Sequence, residues 1–293
     1  MQDRSQAAPY ALCLALGSML IVNDVVKVFI WTPHVQIFNI FVPLFCIAVC
    51  IAIIERPQRT LRQVFVGSLG LGALALVYFS FVIVVPAGVL AFIVGERLAR
   101  RRVSVRYLLS RSAMAVLGFC CPIVLWGLFV YWRTGRVFYS HEVTQYRQFV
   151  WIVDAMREGA GVLVHRFASF VSTHAQSIRR VALVPVLILL ALVLARFSSW
   201  KGRGDPFISS SWNSVVIASG ITAGATLLFF GLLGFYSDRL TSNIVPTILV
   251  AAVPFGSEWW GPSLNARRGF AVLCTAGAIA WLVYEVVKPG PYL

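Results

Sequence analysis

Ionisable side chains are scarce in this sequence, and a charge set among apolar residues costs free energy unless it is paired or put to use. Three groups therefore stand out. Asp24 and Lys27 sit three residues apart within the apolar run Tyr10 to Ile30. On a helix that spacing suits a mutual ion pair, and the alternative is a carboxylate at Asp24 that handles a proton. Tyr236-Ser237-Asp238-Arg239 is a polar turn between two apolar runs, followed by Ser242, Asn243 and Pro246. Arg239 could hold a phosphate through charge-assisted hydrogen bonds while Tyr236 covers its hydrocarbon stem. In the plainer alternative Asp238 caps the next helix and Arg239 extends to an interface. The third group begins at Trp132-Arg133-Thr134-Gly135-Arg136 and continues through Tyr139, His141, Glu142, Tyr146 and Arg147. Carboxylate, imidazole, phenol and guanidinium together suit a sugar or a pyrophosphate, and the competing reading is an interfacial belt of aromatic and basic residues.

The elements that must position these groups are apolar to an extent that a soluble domain does not reach. Of the 293 residues 59% are hydrophobic and 12% charged, and the mean hydropathy is +0.82. The apolar residues come in blocks about 20 residues long, the length of a bilayer-crossing helix, and alternating strand-length segments of a membrane barrel are missing. The blocks run Tyr10 to Ile30, Val35 to Ile54, Val64 to Gly95, Ser112 to Trp132, Val181 to Phe197, Asn213 to Phe235, Ser242 to Phe255 and Gly269 to Val287. The third is too long for one crossing and basic on both flanks, with Arg56, Arg59 and Arg62 before it and Arg97, Arg100, Arg101, Arg102 and Arg106 after it. Positive loops stay cytoplasmic, so the chain must cross an even number of times between them. The block is expected to split near Tyr78 to Ser80, with Pro86 and Gly88 in the returning half. A single tilted helix is the alternative.

The expected architecture is an all-α polytopic transmembrane helical bundle of about nine spans, residues 1–293 forming one transmembrane domain. Its amino terminus is cytoplasmic, its carboxyl terminus outside, and its location the cytoplasmic (inner) membrane. Arg196, Lys201, Arg203, Arg267 and Arg268 then fall inside. Residues 133–180 form the one long extracytoplasmic loop. Within it Trp151, Met156, Leu163, Arg166, Phe167 and Phe170 recur at helical spacing with charge between them, as in helices lying on a membrane surface. No cleavable signal is expected, because the first apolar block is longer than such a segment and lacks its small-residue end.

Charge and cysteine usage exclude several classes. The net charge of +14 is explained by cytoplasmic loops that meet anionic headgroups, so membrane lipids and not nucleic acid are the expected partners. Cys13, Cys46, Cys50, Cys120, Cys121 and Cys274 all fall in apolar runs and read as small buried side chains, without the histidines or second pair that a metal site needs. The sequence contains no GxxxxGK[ST], HExxH or GxSxG, so an ATPase, zincin or α/β-hydrolase site lacks support. No nucleotide cofactor is expected, and a divalent cation is left open.

Three segments resemble the later part of the GT-C-type integral-membrane glycosyltransferases, the group that includes protein mannosyltransferase-like and aminoarabinose transferase-like enzymes. Arg62 to Tyr78 (RQVFVGSLGLGALALVY) is similar to the family's short helix of a basic residue followed by Gly-rich apolar sequence, with a Pro-containing helix and a basic loop after it. Pro122 to Gly135 (PIVLWGLFVYWRTG) leads into the loop with Tyr146 and Trp151. Tyr236 to Pro254 (YSDRLTSNIVPTILVAAVP) resembles the family's aromatic residue, arginine and Pro-containing short helix. The resemblance covers about four fifths of the chain. It implies transfer of a sugar from a polyprenyl-phosphate-linked donor outside the membrane, with Arg239 on the lipid phosphate and Tyr236 lining the same cavity. In that family the acids that activate the acceptor lie in the first extracytoplasmic loop. Here that loop is Trp31-Thr32-Pro33-His34, and Asp24 is the nearest carboxylate. The departure leads to the expectation of a carboxyl-terminal piece, a misassigned start or a degenerate relative, inactive or completed by a membrane protein partner. The rival expectation is a transporter, a lipid-handling protein or a noncatalytic subunit.

Overall fold

A computed structural model describes residues 16–17, 38–56, 60–99, 104–135, 150–200, 210–233 and 243–259, together with 272, 275–277, 279–280, 283 and 287. Among these the regular structure is entirely helical. The helices are α1 (Phe38–Glu55), α2 (Leu61–Val77), α3 (Val84–Leu98), α4 (Val105–Thr134), α5 (Val150–Glu158), α6 (Ala160–Val181), α7 (Leu183–Trp200), α8 (Ser210–Leu233) and α9 (Ile244–Trp259), with a 3-10 segment at Phe79–Ile83. Among the described residues three stretches are long and apolar enough to cross a membrane: Phe79–Leu98, Val105–Thr134 and Trp212–Leu232. A fourth arises if α6 and α7, bent by 83° at their junction, count as one broken span. Ile40–Glu55, Leu61–Val77 and Ile244–Gly256 are apolar but shorter.

The long third block does break, and at Tyr78. Its backbone is extended (φ −148°, ψ 114°) between α2 and the 3-10 segment. Gln63 near the start of α2 and Phe92 late in α3 line one cavity. Were the two helices collinear, these residues would lie about 43 Å apart at 1.5 Å per residue, so the chain reverses and the single tilted helix is excluded. Aromatic contacts pin the reversal: Phe38 of α1 stacks on Tyr78 at 5.5 Å and meets Phe81 edge-on at 6.1 Å. At the opposite end Thr60 opens α2 with a reciprocal capping box, its hydroxyl accepting from Gln63 N–H while the Gln63 side chain accepts from Thr60 N–H.

Without water to exclude, helices in lipid associate by close packing, which favours small residues at their contacts. Helix α8 follows this rule, burying Ala218, Ser219, Thr222, Ala225 and Thr226 along one side while packing on α1, α3, α6 and α9. Opposite Thr222 on α1 are Cys46 and Cys50, both fully buried and one turn apart. Helices α2 and α4 meet still more closely. A Cβ placed on Gly72 would collide with the Phe119 carbonyl oxygen and lie 3.1 Å from Pro122 Cδ, and one on Gly118 would lie 2.5 Å from the Phe65 carbonyl oxygen. The outer face of α4 is bare, with Val116, Leu117, Leu125, Leu128, Phe129 and Trp132 exposed. Cys120 shares that exposure, contrary to the sequence expectation of burial, because α4 packs along one side only.

Substitution Gly118→Val is expected to lower the stability of the purified chain by roughly 1–3 kcal/mol, since the obstacle is rigid backbone. Gly70→Ala, whose added Cβ meets nothing within 4 Å, should instead be neutral or stabilising by up to about 1 kcal/mol. Thermal unfolding in detergent checks both, and equal effects would mean that the α2–α4 crossing is looser than described.

Candidate functional site

The residues that the sequence singles out divide sharply by location. Arg133 lies in the last turn of α4, exposed, its guanidinium carbon 5.8 Å from the centre of the Trp132 ring. That helix ends at Gly135, in the left-handed region (φ 69°) with its N–H donating to the Tyr131 carbonyl at 2.8 Å. Asp24, Arg136, His141, Glu142, Tyr146, Tyr236, Asp238 and Arg239 lie outside the described residues, as does Lys27. Among the described residues no three His, Cys, Asp or Glu side chains come together as metal ligands.

The helical spacing read from 149–170 becomes α5 and α6. They join at Gly159, whose φ of 126° strains any residue with a Cβ. The Arg166 guanidinium reaches across this joint to the Glu158 carboxylate at 2.7 Å. Both helices are amphipathic, and they dock on the carboxyl-terminal end of α8. Trp151 Nε1 donates to the Leu232 carbonyl at 2.9 Å, and the Trp151 ring meets Phe170 edge-on at 4.9 Å. Phe167 and Val171 press on Gly231, where an added Cβ would come within 2.9 Å and 3.0 Å of them. One turn further along α6, His174 is almost fully buried with its ring 5.5 Å from that of Phe230. The described chain of α8 stops at Leu233, at the end that α5 and α6 cover, and resumes at Asn243; Tyr236, Asp238 and Arg239 fall in the sequence between.

A second feature lies at the other end of the bundle. Helices α1 to α4 line a partly open cavity of about 200 Å³ bounded mainly by apolar side chains, among them Phe45, Ile53, Leu71, Val85 and Phe92. Its polar lining comes from Gln63, Ser68, Ser112 and Arg111. The guanidinium carbon of Arg111 sits 3.5 Å over the Tyr107 ring, one turn earlier on α4. Sequence reasoning missed Arg111 because the apolar run was taken to begin at Ser112, whereas α4 begins at Val105. The detectable signal was the Tyr107, Arg111 pair at helical i, i+4 spacing. Arg111 and Arg133 are 22 residues apart on one helix with no charge between them. At 1.5 Å per residue that is about 33 Å, close to the thickness of a hydrocarbon core.

Comparison of the chain with protein-family models, with curated proteins and with solved structures gives no match.

Replacement of Trp151 by Phe keeps most of the ring packing but removes the donor to Leu232. The expected result is faster amide exchange throughout α5, with a loss of about 1 kcal/mol. Hydrogen exchange of the purified chain measures it, and unchanged protection of α5 would show that the indole bond does not hold the helix.

Proposed function

We propose that this chain is a multi-pass protein of the cytoplasmic membrane, crossing nine times with its amino terminus inside, and that it acts on a polyprenyl-phosphate-linked sugar at the outer face as a membrane glycosyltransferase. The observation that supports this reading best is the seating of α5 and α6 on the end of α8. It joins the amphipathic part of segment 133–180 to the helix that leads into Tyr236 and Arg239. The 83° bend between α6 and α7 suits a helix lying in the membrane plane beside one that crosses it.

In the proposed reaction the bond between the anomeric carbon and the phosphate oxygen breaks, and an acceptor oxygen bonds to that carbon. The acceptor proton passes to a carboxylate, with Asp24 as the candidate and Glu142 among the loop residues near the sugar, while the polyprenyl phosphate departs as a dianion. A fixed cation near the departing oxygens stabilises them more than it stabilises the singly charged phosphodiester of the ground state. Arg239 is the proposed cation, Tyr236 the proposed cover of the isoprenoid stem and Asp238 its neighbour in the turn, with Arg133, Arg136, His141 and Tyr146 on the sugar side. The apolar cavity of α1 to α4 favours a second reading, a protein that holds lipid without chemistry.

Binding of radiolabelled polyprenyl phosphate to the purified chain in detergent tests the proposal. Saturable binding is expected, weakened about 10- to 100-fold by Arg239→Ala if the charge-assisted bonds contribute about 1.5–3 kcal/mol. Arg157→Ala, an exposed arginine on α5, should leave it unchanged. Absence of saturable binding to the native chain would overturn the glycosyltransferase reading.

A further inference from the structure

We propose that the cavity between α1, α2, α3 and α4 is a binding site for an anionic phospholipid of the surrounding leaflet, one acyl chain inside and the phosphate at Arg111. The proposal rests on the membrane reading of the bundle and not on sugar transfer.

Size and lining decide the part of the ligand that enters. A cavity of about 200 Å³ lined mainly by apolar side chains takes a segment of one hydrocarbon chain, and it is those walls that turn a polar headgroup away. The cavity walls are apolar and need an apolar occupant. Phe45, Gln63 and Gly67 of its lining are themselves exposed, so a chain reaches it sideways from between the helices.

Charge selects the headgroup. Gly95 of α3 lies against the backbone of Ile53 and Ile54, which gathers the end of α1 with the end of α3. The short connectors 56–60 and 99–104 bring the starts of α2 and α4 to the same end. Among the described residues, exposed Arg56, Arg62, Arg97 and Arg106 therefore lie at that end of the bundle with half-buried Arg111. The carboxylates there are exposed Glu55 and buried Glu96. Five guanidiniums against two carboxylates leave a cationic rim, which favours a net negative phosphate diester over a zwitterionic one. Arg111 is the member of the rim that also lines the cavity, and the Tyr107 ring beneath it fixes its direction. Its planar fork suits two phosphate oxygens.

The test uses the full chain purified in detergent and equilibrated with equal amounts of phosphatidylglycerol and phosphatidylcholine carrying the same acyl chains, with retained lipid counted by native mass spectrometry. The native chain should retain phosphatidylglycerol about fivefold over phosphatidylcholine, the selectivity expected of about one effective cation. Arg111→Gln should bring the ratio near one. Gly67→Phe should reduce retention of both lipids, because its Cβ meets nothing within 4 Å and its ring occupies the space of the acyl chain. Arg157→Gln, an exposed arginine on α5, should change nothing. Thermal unfolding of each variant separates lost binding from lost folding, and Gly67→Phe decides should Arg111→Gln fail to fold. Equal retention of the two lipids by the native chain overturns the proposal. So does displacement by polyprenyl phosphate at concentrations where phosphatidylglycerol has no effect. Arg239→Ala should leave the ratio unaltered, so failure of the glycosyltransferase reading would not register here.

Discussion

A peptide group that enters hydrocarbon has no water to bond, so each N–H and C=O must find its partner along its own segment. A helix meets that constraint, and the regular structure described for this chain is helix throughout. Hydrocarbon also removes the ordinary force for assembling the helices, since a leucine gains little by leaving lipid for protein. Contact must then come from shape. The small side of α8 and the glycine crossings of α2 and α4 are where backbones come close enough for dispersion to accumulate. Where a helix has no such side, as on the outer face of α4, bulky residues stay outward.

The same constraint separates the molecule into two chemical ends. Charge is excluded from the middle of α4 and returns at Arg111 and Arg133. One end gathers arginines around an apolar cavity. The other carries an amphipathic pair held by an indole hydrogen bond and by rings packed on a glycine. Ser219, Thr222 and Thr226 are buried hydroxyls along α8, and Thr226 donates to the Thr222 carbonyl at 2.7 Å within its own helix.

Much of the helix layout was legible because hydrophobic run length and loop charge are direct records of the solvent. The length of Val64 to Gly95 and the arginines on both its flanks led to an expected break near Tyr78 to Ser80, and the helix ends at Tyr78. Helix starts were less legible. Arg111 lies inside α4 because a helix begun by Ser104 continues through charged residues as readily as through apolar ones, and no hydropathy rule marks its first turn. Exposure within the bundle was not legible either, since Cys46 and Cys120 look alike in sequence and differ only in which side their helices turn to a neighbour. The candidate site was legible as residue types. Of its members Arg133 alone is among the described residues, so its assembly rests on the docking of α5 and α6 and not on the side chains that the sequence selected.

Helix α4 is 30 residues long, about 45 Å at 1.5 Å per residue, against a hydrocarbon core of about 30 Å. Its apolar stretch between Arg111 and Arg133 matches that core, so in a bilayer the turns ahead of Arg111 would stand outside it. Its close partner is α2, its contacts with α3 are fewer, and the cavity lies between the α2–α4 pair and the α1–α3 pair. Were α4 to cross a film thinner than that stretch it would lean, and the lean would alter the separation of two bodies and the volume between them. Membrane thickness would then be a mechanical variable for this molecule, applied through the length of one helix to a gap that no side chain in that helix closes by itself.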